Sequence, residues 1–108
     1  MRVVLVTVPD AAIGAQLAKV LLESELVACV NILPAVRSLY LWEGEICDES
    51  ESLLVIKTCE AALEALKSLV QEKHPYSVPE LIALTVEQGL EPYLDWVRAN
   101  VRIAGEDA

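Results

Sequence analysis

Phenylalanine is absent from this 108-residue chain, and two tryptophans and three tyrosines are its whole aromatic content. Its core must therefore be aliphatic. Glycine is scarce too: Gly14, Gly44, Gly89 and Gly105 stand far apart, so neither a dinucleotide-binding fingerprint nor a phosphate-cradling loop can be written on this sequence. A single histidine, His74, excludes an HExxH motif and any two-histidine zinc site within one chain. The three cysteines, Cys29, Cys47 and Cys59, form no CxxC pair and are odd in number, which argues against a disulfide framework. Positive charge is also short. Eight Lys and Arg oppose seventeen Asp and Glu, giving a net charge of −9 and a pI near 4.4. The basic residues are scattered, so nucleic acid is not an expected partner, whereas an acidic surface concentrates cations. Charges interrupt every helical stretch, and no run approaches the roughly 20 apolar residues of a membrane span. The apolar run at the N-terminus, Val3 to Val8, is too short for a secretory signal. The expectation is a cytoplasmic protein with reduced thiols and no stable membrane insertion.

What the chain has in excess is aliphatic surface. Hydrophobic residues make up 55% of it, with a mean hydropathy of +0.44. A domain of this length buries only about two thirds of the surface its unfolded chain exposes. With no linker, repeat or low-complexity segment, residues 1–108 read as one domain whose surplus must be covered by further copies of itself.

The pattern along the chain predicts β-α-β-β-α-β-α. Arg2 to Pro9 is a nearly continuous Val/Leu run, suited to a strand buried on both faces or central in a sheet. Asp10 can cap a helix carrying Ile13, Leu17, Val20 and Leu21 on one side. Val27 to Leu33 and Val36 to Leu41 read as strand broken by Pro34, where a bulge or bend is expected because proline has no N–H to donate. Trp42-Glu43-Gly44-Glu45 supplies a turn, and the return strand is polar over Asp48–Ser52 and apolar over Leu53–Ile56. Together these make a long hairpin. Thr58 suits the N-cap of a second helix with Leu63, Leu66, Leu69 and Val70 on its inner stripe, ending before His74-Pro75. Leu81 to Val86 predicts a fourth strand, and Pro92 opens a third helix carrying Tyr93, Leu94, Trp96 and Val97. Gly105 to Ala108 reads as a frayed tail. The first six elements match the ferredoxin-like layout, an α+β sandwich with both helices on one face of an antiparallel sheet.

Several side chains could carry chemistry, each with a plainer reading beside it. His74 could bind copper or zinc through a neutral imidazole, or simply sit at a helix C-terminus where a cation is favoured. Cys29 in an apolar strand behaves as a small hydrophobe, Cys59 behind the expected cap is the most reactive thiol position, and Cys47 is incidental. Lys57 ends an apolar strand and should seek a carboxylate, with Glu43, Glu51 and Glu80 as candidates, because an isolated buried charge is costly. Trp42 and Trp96 suit interface anchors. The acidic stretch from Glu43 to Glu51 reads as a solvated hairpin tip or, less readily, a weak cation site.

Five segments taken in register are more specific. They are Ala28-Cys29-Val30-Asn31-Ile32-Leu33-Pro34, Ser38-Leu39-Tyr40-Leu41-Trp42-Glu43-Gly44, Ile56-Lys57-Thr58, His74-Pro75-Tyr76-Ser77-Val78-Pro79-Glu80 and Tyr93-Leu94-Asp95-Trp96. Their order and spacing resemble the divalent-cation tolerance protein family, CutA, from about Val3 to Val101. The resemblance implies a ferredoxin-like protomer with a C-terminal helix, assembled as a homotrimer through long hairpin strands, and similar in assembly to P-II-type signalling proteins. It implies a cytoplasmic binding protein, not an enzyme, tied to copper and divalent-cation tolerance. By the family motif, Asn31, Trp42, Glu43, Lys57, His74, Tyr76, Glu80, Tyr93 and Trp96 would gather near a cleft between subunits, with His74 and Glu80 as the metal candidates. Where some members carry a strand-one cysteine and a second histidine, this chain has Val6-Thr7-Val8 and Lys73. Copper or another divalent cation is then expected to bind weakly, too few soft ligands being present. The alternative is a P-II-like sensor whose intersubunit cleft takes a small metabolite or anion through Lys57.

Overall fold

The computed structural model describes residues 1–102, so the expected fraying of Gly105–Ala108 lies outside the described residues. The elements run β1 (Arg2–Val8), α1 (Ala11–Glu23), β2 (Cys29–Trp42), β3 (Glu45–Thr58), a single 3₁₀ turn (Glu60–Ala62), α2 (Leu63–Lys73), β4 (Ile82–Thr85) and α3 (Glu91–Asn100). The strands form one antiparallel sheet in the order β2-β3-β1-β4. This is the ferredoxin-like order, with the first and third strands at its centre.

Strand alternation decides which face is covered. Val4, Val6 and Val8 of β1 and Leu54 and Ile56 of β3 are fully buried against Leu17 and Leu21 of α1 and Leu66 and Val70 of α2. Both helices therefore lie on the same face. Helix α1 starts where Asp10 accepts a hydrogen bond from the Ile13 N–H at 2.8 Å, as its sequence predicts. It comes close to the sheet because Gly14 has no side chain: a Cβ there would lie 3.2 Å from both Leu54 Cδ2 and Val8 Cγ2. A smaller cluster of Ala62, Val97 and Val101 fastens α3 beside Met1, Leu26, Ala28 and Cys59.

Among the described residues, α1 and α2 leave the opposite face of the sheet uncovered. Val3 pairs across with Leu84 and Lys57, and Leu5 with Ile82 and Val55, so these six side chains share that open face. Ile82 and Leu84 are about half exposed. Beyond the core, β2 and β3 continue as a two-stranded arm on which Leu39, Leu41 and Ile46 are 62%, 71% and 76% exposed.

The structure revises the expected boundaries in four places. The hairpin turn narrows to Glu43-Gly44, since Trp42 and Glu45 are still paired. Both turn residues have positive φ, 51° and 82°, the backbone a tight two-residue hairpin needs. The break at Pro34 is a register shift between Leu33 and Val36 within one continuous strand, not two strand stretches. Strand β4 is only Ile82–Thr85. Thr58 is not a helix cap: it ends β3, buried, and its hydroxyl donates to the Leu26 carbonyl at 2.6 Å. Cys59 holds the capping position with extended backbone and makes no side-chain cap bond.

Candidate functional site

Past Val8 the chain leaves β1, so β3 loses its neighbour on that side at Ser52. The segment 74–80 then passes beside the arm, and a cleft of about 930 Å³ opens between them. Strand period sets its inner wall. Cys47, Glu49 and Glu51 alternate on β3 and pair across to Tyr40, Ser38 and Val36 of β2, so they share one face. Tyr40, Trp42, Cys47, Glu49, Glu51, Tyr76 and Glu80 all line the cleft.

His74 and Tyr76 lock the outer wall in place. His74 is buried at the C-terminal end of α2. Its Nε2 lies 2.7 Å from the Thr7 carbonyl oxygen, and its Nδ1 accepts from the Tyr76 N–H at 3.1 Å. A carbonyl only accepts, so Nε2 must carry the proton. The two rings meet at a tilt of 50° with their centroids 4.7 Å apart. Tyr76 in turn donates its hydroxyl to Glu51 Oε2 at 2.7 Å. Burial first, and the Glu51 carboxylate second, push the Tyr76 phenol up from its ordinary value. Burial and the nearby Glu49 raise Tyr40 in the same direction. Near the base of the arm, Arg37 is spent on Asp48 through two bonds of 2.9 and 2.6 Å; the pair holds the Asp48 carboxyl below its ordinary value and the Arg37 guanidinium above its own.

The expected site residues fall into separate groups within one protomer. Trp42, Tyr76 and Glu80 line the cleft. Glu43 sits at the turn of the arm, exposed. Lys57 and Asn31 lie on the open face of the sheet and hydrogen-bond each other, so Lys57 meets an amide there and not the carboxylate its sequence setting suggests. Tyr93 and Trp96 lie side by side on α3 with ring centroids 5.7 Å apart, and burial first, the nearby Cys29 thiol second, raise the Tyr93 phenol. Lys57 is six positions from Glu51 along β3, about 20 Å at about 3.4 Å per residue. The two groups do not meet inside one chain.

Both ring nitrogens of His74 are occupied by backbone groups, and Glu80 stands exposed at the cleft rim. Among the described residues no three His, Cys, Asp or Glu side chains converge as a cage for a metal ion.

The sequence offers Glu51 as a partner for Lys57 and the stretch from Glu43 to Glu51 as a solvated tip or weak cation site, but it does not gather Tyr40, Glu49 and Glu51 into one cleft. The signal was there: Cys47, Glu49 and Glu51 recur every second residue, which places them on one face of a strand. Their surroundings, however, depend on a segment arriving from 25 residues away.

The family model for the CutA1 divalent ion tolerance protein matches residues 2–100. This chain belongs to that family. It is 47% identical over 99 residues to the divalent-cation tolerance protein CutA of Thermus thermophilus, covering 92% of this chain and 96% of that one. It is 46% identical over 93 residues to human protein CutA, covering 86% of this chain and 52% of the relative. The chain thus spans about half the length of the human protein, and 55% of the chloroplastic CutA of Arabidopsis thaliana. Among solved structures, Cut A1 of Thermus thermophilus superposes with a TM-score of 0.91 at 46% identity, covering 94% of this chain and 100% of that one. A structure described as the PII-like protein CutA of Nostoc superposes with a TM-score of 0.89 at 35% identity, over 95% of this chain and 99% of that one. The fold resembles PII-like proteins accordingly. A further neighbour, from Archaeoglobus fulgidus, is described as periplasmic. In this chain no helix among the described residues is long and apolar enough to cross a membrane.

Proposed function

We propose that this chain serves divalent-cation tolerance as a trimeric binding scaffold of one domain, without catalytic chemistry of its own. Family membership over nearly the whole described chain carries this reading. The open apolar face of the sheet and the bare hairpin arm support assembly with further copies. Three unpaired cysteines fit a reducing, cytoplasmic setting. Contact with copper or another divalent cation falls to His74 and Glu80 and is weak, because the imidazole must first give up a backbone bond and a borderline metal prefers more nitrogen or sulfur than one protomer brings. Calorimetric titration with copper(II) tests this. Weak binding that declines further in both His74→Gln and Glu80→Gln is expected; tight stoichiometric binding untouched by either substitution would remove these residues from the account.

A second reading is favoured by the cleft itself: a PII-like sensor that takes a small organic ligand where the arm meets segment 74–80. Asn31, Lys57, Tyr93 and Trp96 of a neighbouring copy would complete the wall that Trp42, Glu43, Tyr76 and Glu80 begin. A thermal-shift screen of small metabolites on wild type and on Trp42→Ala tests it. The reading requires at least one hit that disappears in the variant.

A further inference from the structure

Glu51 is the most unusual charge in the molecule. It is only 7% exposed, yet no Lys, Arg or His among the described residues pairs with it. One oxygen accepts from the neutral Tyr76 hydroxyl. The other has no hydrogen-bond partner among the described residues. No side-chain polar atom there is both sealed from solvent and unpartnered, so this Oε1 opens into the cleft that Glu51 lines. A largely buried carboxylate answered by one phenol, with its second oxygen turned to the cleft, offers an acceptor to a cationic donor.

The walls say which kind. A metal ion draws its ligands to within about 2.6 Å of one point, and the acidic groups here do not converge in that way. They are spread around a space of about 930 Å³, within the usual range for small organic ligands. An anion would face Glu49, Glu51 and Glu80, while Arg37, the one cationic side chain that this protomer itself brings to the cleft, is already paired with Asp48. The remaining wall is Tyr40, Trp42 and Tyr76, faces that attract an ammonium group electrostatically and pack its hydrocarbon.

We infer that the cleft binds a small aliphatic ammonium ion, its nitrogen donating to Glu51 Oε1 and its carbon chain lying along Trp42 and Tyr40. This rests on the second reading above, that the cleft is a ligand site, and supplies its ligand class. It is an alternative to an anion held through Lys57.

Calorimetric titration with n-butylammonium tests the inference, with n-butyrate as the isosteric anion. Saturable n-butylammonium binding is expected, weakened at least tenfold in Glu51→Gln and several-fold in the exposed Glu80→Gln, with no response to n-butyrate. The Glu80 variant keeps the test decisive where circular dichroism shows that Glu51→Gln fails to fold. Binding of n-butyrate instead of n-butylammonium would overturn the ammonium inference and leave the cleft a ligand site; no binding of either by titration, joined to an empty metabolite screen, would remove both. Binding that emerges only in Lys57→Gln would assign the cleft to the lysine of a second copy and overturn a diffusible ligand. Equal affinity in wild type and both glutamine variants would place any binding elsewhere.

Discussion

A buried polar side chain is stable only when its hydrogen-bonding groups are answered, and one unanswered group costs about 1–3 kcal/mol. His74 and Tyr76 satisfy that rule jointly: imidazole to the Thr7 carbonyl, Tyr76 N–H to imidazole, phenol to Glu51. The last link has a pH signature. Because the Tyr76 phenol is raised, by burial first and by Glu51 second, the folded chain holds its proton more tightly than the unfolded chain does. Its stabilising contribution is therefore full below the ordinary phenol value of 10.0 and is lost as pH rises beyond it. In urea unfolding followed from about pH 8 to about pH 11, wild type should lose stability above the unfolded value more steeply than Tyr76→Phe. Tyr40 and Tyr93 are present in both proteins, so the difference isolates Tyr76. Parallel curves would show that the phenol–Glu51 link does not titrate with unfolding.

At the scale of elements, what could be read in advance was what local chemistry decides. Asp10 caps α1 because a short acceptor in front of an apolar stripe has one good use there, and Pro34 shifts the register because it has no N–H for the ladder. Thr58 was ambiguous for a physical reason: the same hydroxyl suits a helix N-cap and a strand end, and the Leu26 carbonyl that claims it is 32 positions away. The burial of Glu51 was hidden for the same cause. A polar run at a hairpin reads as solvated until a distant segment covers it. Pairing of the fourth strand was legible, but not its short length, since β4 is exposed along all four residues and nothing in its own pattern marks the ends. Gly14 shows how element packing can hang on one position. Its helix approaches Val8 and Leu54, both fully buried. Gly14→Val gains intrinsic helix propensity little if at all, and forces extra methyls into that contact, so destabilisation of about 1–3 kcal/mol is expected in chemical unfolding. A variant as stable as wild type would mean that α1 can lift from the sheet without loss.

At the scale of the whole molecule, the aliphatic excess is unevenly spent. The helix-covered face consumes Val4, Val6, Val8, Leu54 and Ile56 completely, while Val3, Leu5, Val55, Ile82 and Leu84 on the other face stay outside that core among the described residues. Contiguous apolar faces of this kind are rare on stable monomers, and the arm adds Leu39, Leu41 and Ile46. A net charge of −9 works against association by mutual repulsion, so the apolar contact must outweigh it. A single carboxylate placed on the open face should tip that balance, because it adds to the repulsion and cannot be buried without a partner. Leu84→Glu is the apt probe: Leu84 is about half exposed, so the protomer does not need it for its own core. Light scattering of wild type should give about three times the 11.8 kDa chain mass, and Leu84→Glu should shift the population towards 11.8 kDa with the circular dichroism of a folded chain. Unaltered mass in the variant would move the interface away from the open sheet face and onto the hairpin arm, and a monomeric wild type would contradict trimer assembly altogether.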